Sequence, residues 1–327
     1  MMMYWLGWFG FLMTLVVLVG LVFISWAPDR PVVSLLKRWA PPESASRFVD
    51  VRGLSVHIRD EGPRSDPQPI VLLHGTGSSL HTWDGWSLEL TKTRRVIRFD
   101  LPGFGLTGPY RGEWLEEGER YTLLNYAKFV VTTLDAIGVS QSIVLGGNSL
   151  GGQIAWETVD YLRTSQPQRI ARLILVDSAG YPFESSSVPI GFRMARIEAL
   201  APVLENTLPR ALIEYSVRDV YGDPGKITPP LIDRYFELTL RSGNRRALGL
   251  RMRESLAETP ERISAIKLPT LILWGGKDRL IPPTNAKRFA QDIAGSKLVI
   301  FDMLGHVPHE EDPLQTVAAV QAFLTGK

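Results

Sequence analysis

The chain has 327 residues, enough for one large α/β domain carrying an insertion, or for two domains. Lys plus Arg total 36 against 34 acidic residues, a net charge of +2, so the concentrated basic surplus of a nucleic-acid-binding face is missing. There is no cysteine, which excludes disulfides, thiolate nucleophiles and cysteine-ligated metals.

In chain order, Met1 to Ala27 carries no charged side chain and Tyr4 to Ile24 is almost wholly apolar. As a helix this run of about 21 residues would span roughly 30 Å, the thickness of a bilayer core. Tyr4, Trp5 and Trp8 flank one end and Trp26 the other, as aromatics do at membrane interfaces. No Lys or Arg precedes the run, and it exceeds a signal-peptide core, so residues 1–27 are expected to form an uncleaved single-pass anchor. Arg30, Lys37, Arg38 and Arg47 follow it, which places the soluble body on the cytoplasmic side by the positive-inside rule. Residues 28–46, with Pro28, Pro31, Pro41 and Pro42, read as a juxtamembrane linker. Within it, Val32 to Trp39 could lie on a membrane surface as a short amphipathic helix.

A hairpin follows, with Phe48–Val51 and Leu54–Arg59 joined at Arg52-Gly53. Six short, nearly continuous apolar runs then read as strands buried on both faces: Ile70–Leu73, Arg95–Phe99, Ile143–Leu145, Leu173–Val176, Leu271–Trp274 and Leu298–Phe301. Helical segments such as Leu123–Ile137 and Gln153–Leu162 alternate with them, so a mostly parallel sheet covered on both faces is expected. Residues 47–180 and 267–327 form this core. The alternation stops over residues 181–266, a helical insertion that must sit outside the sheet. It holds Arg193, Arg196, Arg234, Arg241, Arg245, Arg246, Arg251 and Arg253. A solvated surface accounts for most of these, whereas one or two facing inward would favour an anionic substrate.

Gly147-Asn148-Ser149-Leu150-Gly151 ends a strand and opens a helix, the context of a nucleophile elbow that holds a serine hydroxyl up from a strained turn. A serine needs a base, and the base needs an orienting carboxylate. Of five histidines, His306 and His309 follow the last strand, and His306, after Gly305, is preferred. His57 lies in the hairpin, His81 in a loop or helix start, and His74 ends a strand, where its backbone matters more than its ring. For the acid, Asp278 and Asp177 both satisfy the order serine, acid, histidine, with Asp302 a third option at a strand end. Asp278 is preferred because its strand neighbours the one bearing the His306 loop. Oxyanion donors are expected at the backbone N–H groups of Leu150 and of Thr76 in His74-Gly75-Thr76-Gly77.

His74-Gly75-Thr76-Gly77, Asp100-Leu101-Pro102-Gly103-Phe104-Gly105, the Ser149 elbow, Gly276-Lys277-Asp278 and Gly305-His306 together resemble the α/β-hydrolase family over about residues 47–327. The resemblance implies an eight-stranded fold with a helical cap over 181–266, nucleophile Ser149, acid Asp278, base His306, and oxyanion donors Thr76 and Leu150. A serine nucleophile disfavours haloalkane dehalogenases and epoxide hydrolases. Gly-Asn-Ser-Leu-Gly-Gly is similar to the elbow of carbon-carbon hydrolases acting on meta-cleavage products, although Asn148 also reads as a tolerated elbow variant. The expected function is a membrane-anchored serine hydrolase of small or lipid-like carboxylic esters, with no metal or organic cofactor. A carbon-carbon hydrolase and a non-catalytic binding protein on the same fold are the alternatives.

Overall fold

The computed structural model describes Met13 and residues 25–115, 121–254 and 260–326. The apolar runs form one eight-stranded sheet: β1 (Ser46–Val51), β2 (Leu54–Glu61), β3 (Ile70–Leu73), β4 (Val96–Phe99), β5 (Ile143–Asn148), β6 (Ile170–Val176), β7 (Thr270–Gly275) and β8 (Lys297–Phe301), in the order β1-β2-β4-β3-β5-β6-β7-β8. The β2 strand runs antiparallel to its neighbours β1 and β4, and every other pairing is parallel. Strands β3, β4, β5 and β7 are buried at every position, which is why their sequences read as continuous apolar runs.

Alternate side chains feed two cores, because successive strand residues point to opposite faces. Val71, Leu73, Leu145, Leu175 and Trp274 pack with helices α3 (Leu123–Ala136), α4 (Leu150–Leu162) and α10 (Thr284–Asp292). Ile70, Leu72, Val144, Ile174 and Leu273 pack on the other face with α2 (Asp84–Leu90) and α12 (Pro313–Thr325). Between β6 and β7 the described residues hold helices only, chiefly α5 (Ile190–Ala195), α7 (Arg210–Val220), α8 (Pro229–Thr239) and α9 (Asn244–Arg253).

Residues 25–46 are packed against this helical insertion and the core. Trp26 bridges Thr207 and Arg30 bridges Arg241 as isolated β-pairs. The expected helix forms as α1 (Val32–Trp39), but its apolar side is covered by protein: Leu35 is buried with Leu106 and Leu238. Arg38 pairs with Asp233 and Glu237, and Trp39 donates its Nε1–H to Glu237 at 2.7 Å.

The membrane expectation is corrected. No helix among the described residues is long and apolar enough to cross a membrane. The longest, α3, has 14 residues, against the roughly 20 that a bilayer requires. Of the anchor expected over 1–27, Tyr4–Ile24 lies outside the described residues apart from Met13. Neither the single-pass anchor nor its cytoplasmic orientation is carried further.

Three histidines are fixed by the fold in neutral form. His74 accepts the Leu101 N–H at Nε2 (2.9 Å), so its Nδ1–H donates to Gly75 O (2.8 Å). Burial lowers its pKa. Burial also takes His81 down to about 3, with its Nε2 donating to Trp39 O at 2.7 Å. His309 lies tilted against Trp83 with ring centroids 4.0 Å apart, and its pKa lies well below the ordinary value, chiefly through burial. Below the ordinary histidine pKa of about 6.5 the unfolded chain takes up protons that these rings refuse, so stability is lost as pH falls through that value. Each contributes a slope of up to about 1.4 kcal/mol per pH unit. Urea unfolding between pH 7.5 and about 5 should show a steep acid loss; a flat profile would contradict the neutral histidines.

Candidate active site

At the end of β5 the backbone turns into α4 through Ser149, which adopts φ 55° and ψ −116°. A non-glycine residue in this region costs of order 1–3 kcal/mol and persists only when its surroundings hold it. Three hydrogen bonds do so: Ser149 N–H donates to Val176 O (3.0 Å), while Ser149 O accepts from Ala179 and Gln153. The turn closes only without neighbouring side chains. A Cβ on Gly147 would stand 2.2 Å from the Gly151 carbonyl, and one on Gly151 would stand 2.2 Å from Leu73 O.

His306 and Asp278 come together across the β7 and β8 loops. The His306 Nδ1–H donates to Asp278 Oδ2 at 2.7 Å, and both side chains are buried. The other carboxylate oxygen, Oδ1, accepts from Leu280 N–H (2.8 Å) and Ile281 N–H (2.9 Å), which fixes its orientation. This leaves His306 Nε2 for a substrate-side partner. Ser149 and His306 line the same cavity of about 1170 Å³, as do Thr76 and Leu150. The competitors are elsewhere: Asp302 is exposed, and His309 is enclosed against Trp83.

Asp177 is the exception. It lies fully buried at the end of β6, with a carboxylate oxygen near those of Asp278 and the ring of His306, all within 4.8 Å of one another. Its Oδ1 accepts the Gly275 N–H at 2.9 Å. Burial, reinforced by the charge of Asp278, raises its pKa well above the ordinary carboxyl value. Such a trio of donors is also of a kind that binds metals.

Sequence reasoning missed the groups that brace this site. Asn148, read as an elbow variant, donates its Nδ2–H to Val176 O (3.2 Å) and to His306 O (2.9 Å), tying the elbow to the histidine loop. Buried Glu311 accepts from Gly305, Gly222 and Asp223 N–H groups, and His306 N–H donates to Val220 O, so the same loop is clamped to the C-terminal end of α7. Asp100, in the Asp-Leu-Pro-Gly-Phe-Gly run, accepts from Leu80 and Leu106 N–H and pairs with His57 at 2.7 Å. Burial pushes its pKa up, but the neighbouring histidines, His57 foremost, together outweigh this and hold it well below the carboxylate range.

The insertion arginines divide. Arg234 is paired with Glu310, Arg241 donates to Thr107 O and Ser242 O, and Arg245 donates to Asp29 at 2.7 Å. Arg196, Arg245, Arg246, Arg251 and Arg253 line the cavity.

The chain belongs to the alpha/beta hydrolase family, whose model matches residues 70–320. It is similar to a 2-hydroxy-6-oxo-2,4-heptadienoate hydrolase of Pseudomonas putida, 27% identical over 86% of this chain and 96% of that one. It is also similar to lipase 1 of Psychrobacter immobilis, 28% identical over 93% of each. In fold it is similar to a thermophilic esterase from Thermogutta terrifontis, with a TM-score of 0.68 at 24% identity, covering 86% of this chain and 98% of that structure.

Asp177 makes a stability contribution opposite in sign to that of the buried histidines. The folded protein keeps its proton above the unfolded carboxyl pKa of about 3.9, so stability falls as pH rises from there to the raised native value. Asp177→Asn keeps the acceptor for Gly275 and removes the titration. The variant should gain stability relative to the parent as pH rises above about 4, read by urea unfolding; a pH-independent difference would contradict a raised Asp177 pKa.

Proposed function

We propose that this alpha/beta hydrolase is a serine hydrolase that cleaves carboxylic esters through an acyl-enzyme on Ser149. The observation that carries the reading is the buried His306–Asp278 pair, whose ring shares a cavity with a serine held at φ 55°. His306 Nε2 takes the proton of Ser149 Oγ as the oxygen attacks the ester carbonyl carbon. Asp278 holds the ring in the Nδ1–H tautomer and stabilises the imidazolium that forms.

The oxyanion of the tetrahedral intermediate is assigned to the N–H groups of Thr76 and Leu150, each such donor contributing about 3 kcal/mol. Leu150 opens α4, where N–H groups have no intrahelical acceptor, and Thr76 lies in the turn after β3. His306 then gives its proton to the departing alcohol, and a water deprotonated by the same ring releases the acid. Lipases and an esterase among the similar proteins support an ester substrate.

Similarity to hydrolases named for dienoate and semialdehyde substrates, together with Gly-Asn-Ser-Leu-Gly-Gly at the elbow, favours carbon-carbon cleavage as the second reading. A panel of p-nitrophenyl esters assayed beside a vinylogous diketo acid separates the two. Turnover of esters, lowered by roughly a thousandfold or more in Ser149→Ala with an unchanged unfolding midpoint, is expected. Diketo-acid turnover without ester turnover would replace the first reading by the second, and undiminished activity of Ser149→Ala would remove both.

A further inference from the structure

We propose that Arg251 is a recognition site for a negative charge on the substrate, so that the preferred ester carries a carboxylate or phosphate group remote from the bond that is cut. The proposal rests on the Ser149 reading for the word ester, but not for the anion. Arg251 is 5% exposed and lines the cavity that holds Ser149 and His306. It makes no hydrogen bond or ion pair to any described residue, and its Nε is enclosed without an acceptor.

Its neighbours do not supply a partner. Burial lowers its pKa, Tyr126 and Glu254 lean against that without bonding to it, and Arg196 adds a like charge. The other buried arginines of the insertion, Arg241 and Arg245, each have a protein acceptor, as does the partly buried Arg234. Guanidinium remains charged under all ordinary conditions, and a buried charge without a partner destabilises the fold by more than its hydrogen bonds alone. A fold keeps such a group where something that enters the cavity pairs with it. Carboxylate and phosphate oxygens match the planar donor fork of arginine.

The rest of the cavity limits the class further. Phe192, Leu212 and Val217 line it with apolar surface, whereas Arg196 and Arg253 add positive charge and Glu205 and Glu254 are its acids. Arg253 donates one N–H to Ala195 O. An amphiphilic ester fits this lining: an apolar portion on one wall and an anion at Arg251.

The test compares methyl hexanoate with two esters of the same chain length, one ending in a carboxylate (monomethyl adipate) and one in a phosphate monoester. The wild-type enzyme should prefer at least one anionic ester in kcat/KM by about tenfold or more, and which arm responds identifies the anion. Arg251→Gln should bring that preference near unity, Arg251→Lys should retain part of it, and the exposed Arg163→Gln should leave it unchanged. Calorimetry of adipate and hexyl phosphate with Ser149→Ala, alone and combined with Arg251→Gln, reads the anion site without turnover. Weaker binding by about tenfold in the double variant supports the site even if no ester is hydrolysed, in which case only the ester reading fails. Equal kcat/KM for neutral and anionic esters in the wild type, or equal anion affinity with and without Arg251, overturns the proposal. If Arg251→Gln does not fold, the wild-type preference alone decides.

Discussion

The strained backbone of Ser149 is the constraint around which the structure is arranged. A residue at φ 55° and ψ −116° between strand and helix forces the chain to turn within one residue, and nothing local favours that turn. It is held from the side, by Val176 O at the end of β6 and by Ala179 N–H beyond it, so β6 must lie beside β5 in parallel register. On the other flank, β3 must bring Leu73 O so close to Gly151 that no side chain fits. The central position of β5, between β3 and β6, is therefore a requirement of the elbow as much as of the two hydrophobic cores.

The same economy extends to the histidine loop. His306 is oriented by Asp278, but its backbone is held by groups outside the pair: Asn148 from the end of β5, Val220 from α7, and Glu311 through Gly305. Glu311 also accepts from Gly222 and Asp223, so one buried carboxylate ties the His306 loop to the segment leaving α7. The helical insertion is thus fastened to the core at Gly305 and His306. Packing of Ser25–Trp39 against the insertion fastens it again from the N-terminal side.

The sheet was legible because its central strands β3, β4, β5 and β7 are buried on both faces and so read as short apolar runs. Its edges were blurred where the signal is mixed: β6 begins at Ile170, three residues before the apolar run, through Ala171 and Arg172. Ser149, His306 and Asp278 stand out in the sequence as site candidates by their positions after strands, and the structure brings the latter two into a 2.7 Å hydrogen bond. What was not legible depends on long-range contacts. Whether Asp177 stood near Asp278, which arginine had an acceptor, and where the N-terminal segment packed are set by residues far away in sequence, such as Glu310 for Arg234 and Thr207 for Trp26. An amphipathic run like Val32–Trp39 has the same pattern whether lipid or a cap helix covers it, and here Leu238 of α8 does.

In the proposed reaction Ser149 Oγ is the atom that becomes acylated. Reaction with a fluorophosphonate, followed by peptide mapping in a mass spectrometer, tests this directly. A single phosphonyl adduct on the peptide bearing Ser149, formed slowly or not at all in His306→Ala, is the predicted result. An adduct on another residue, or an unlabelled Ser149 in folded protein, would contradict it.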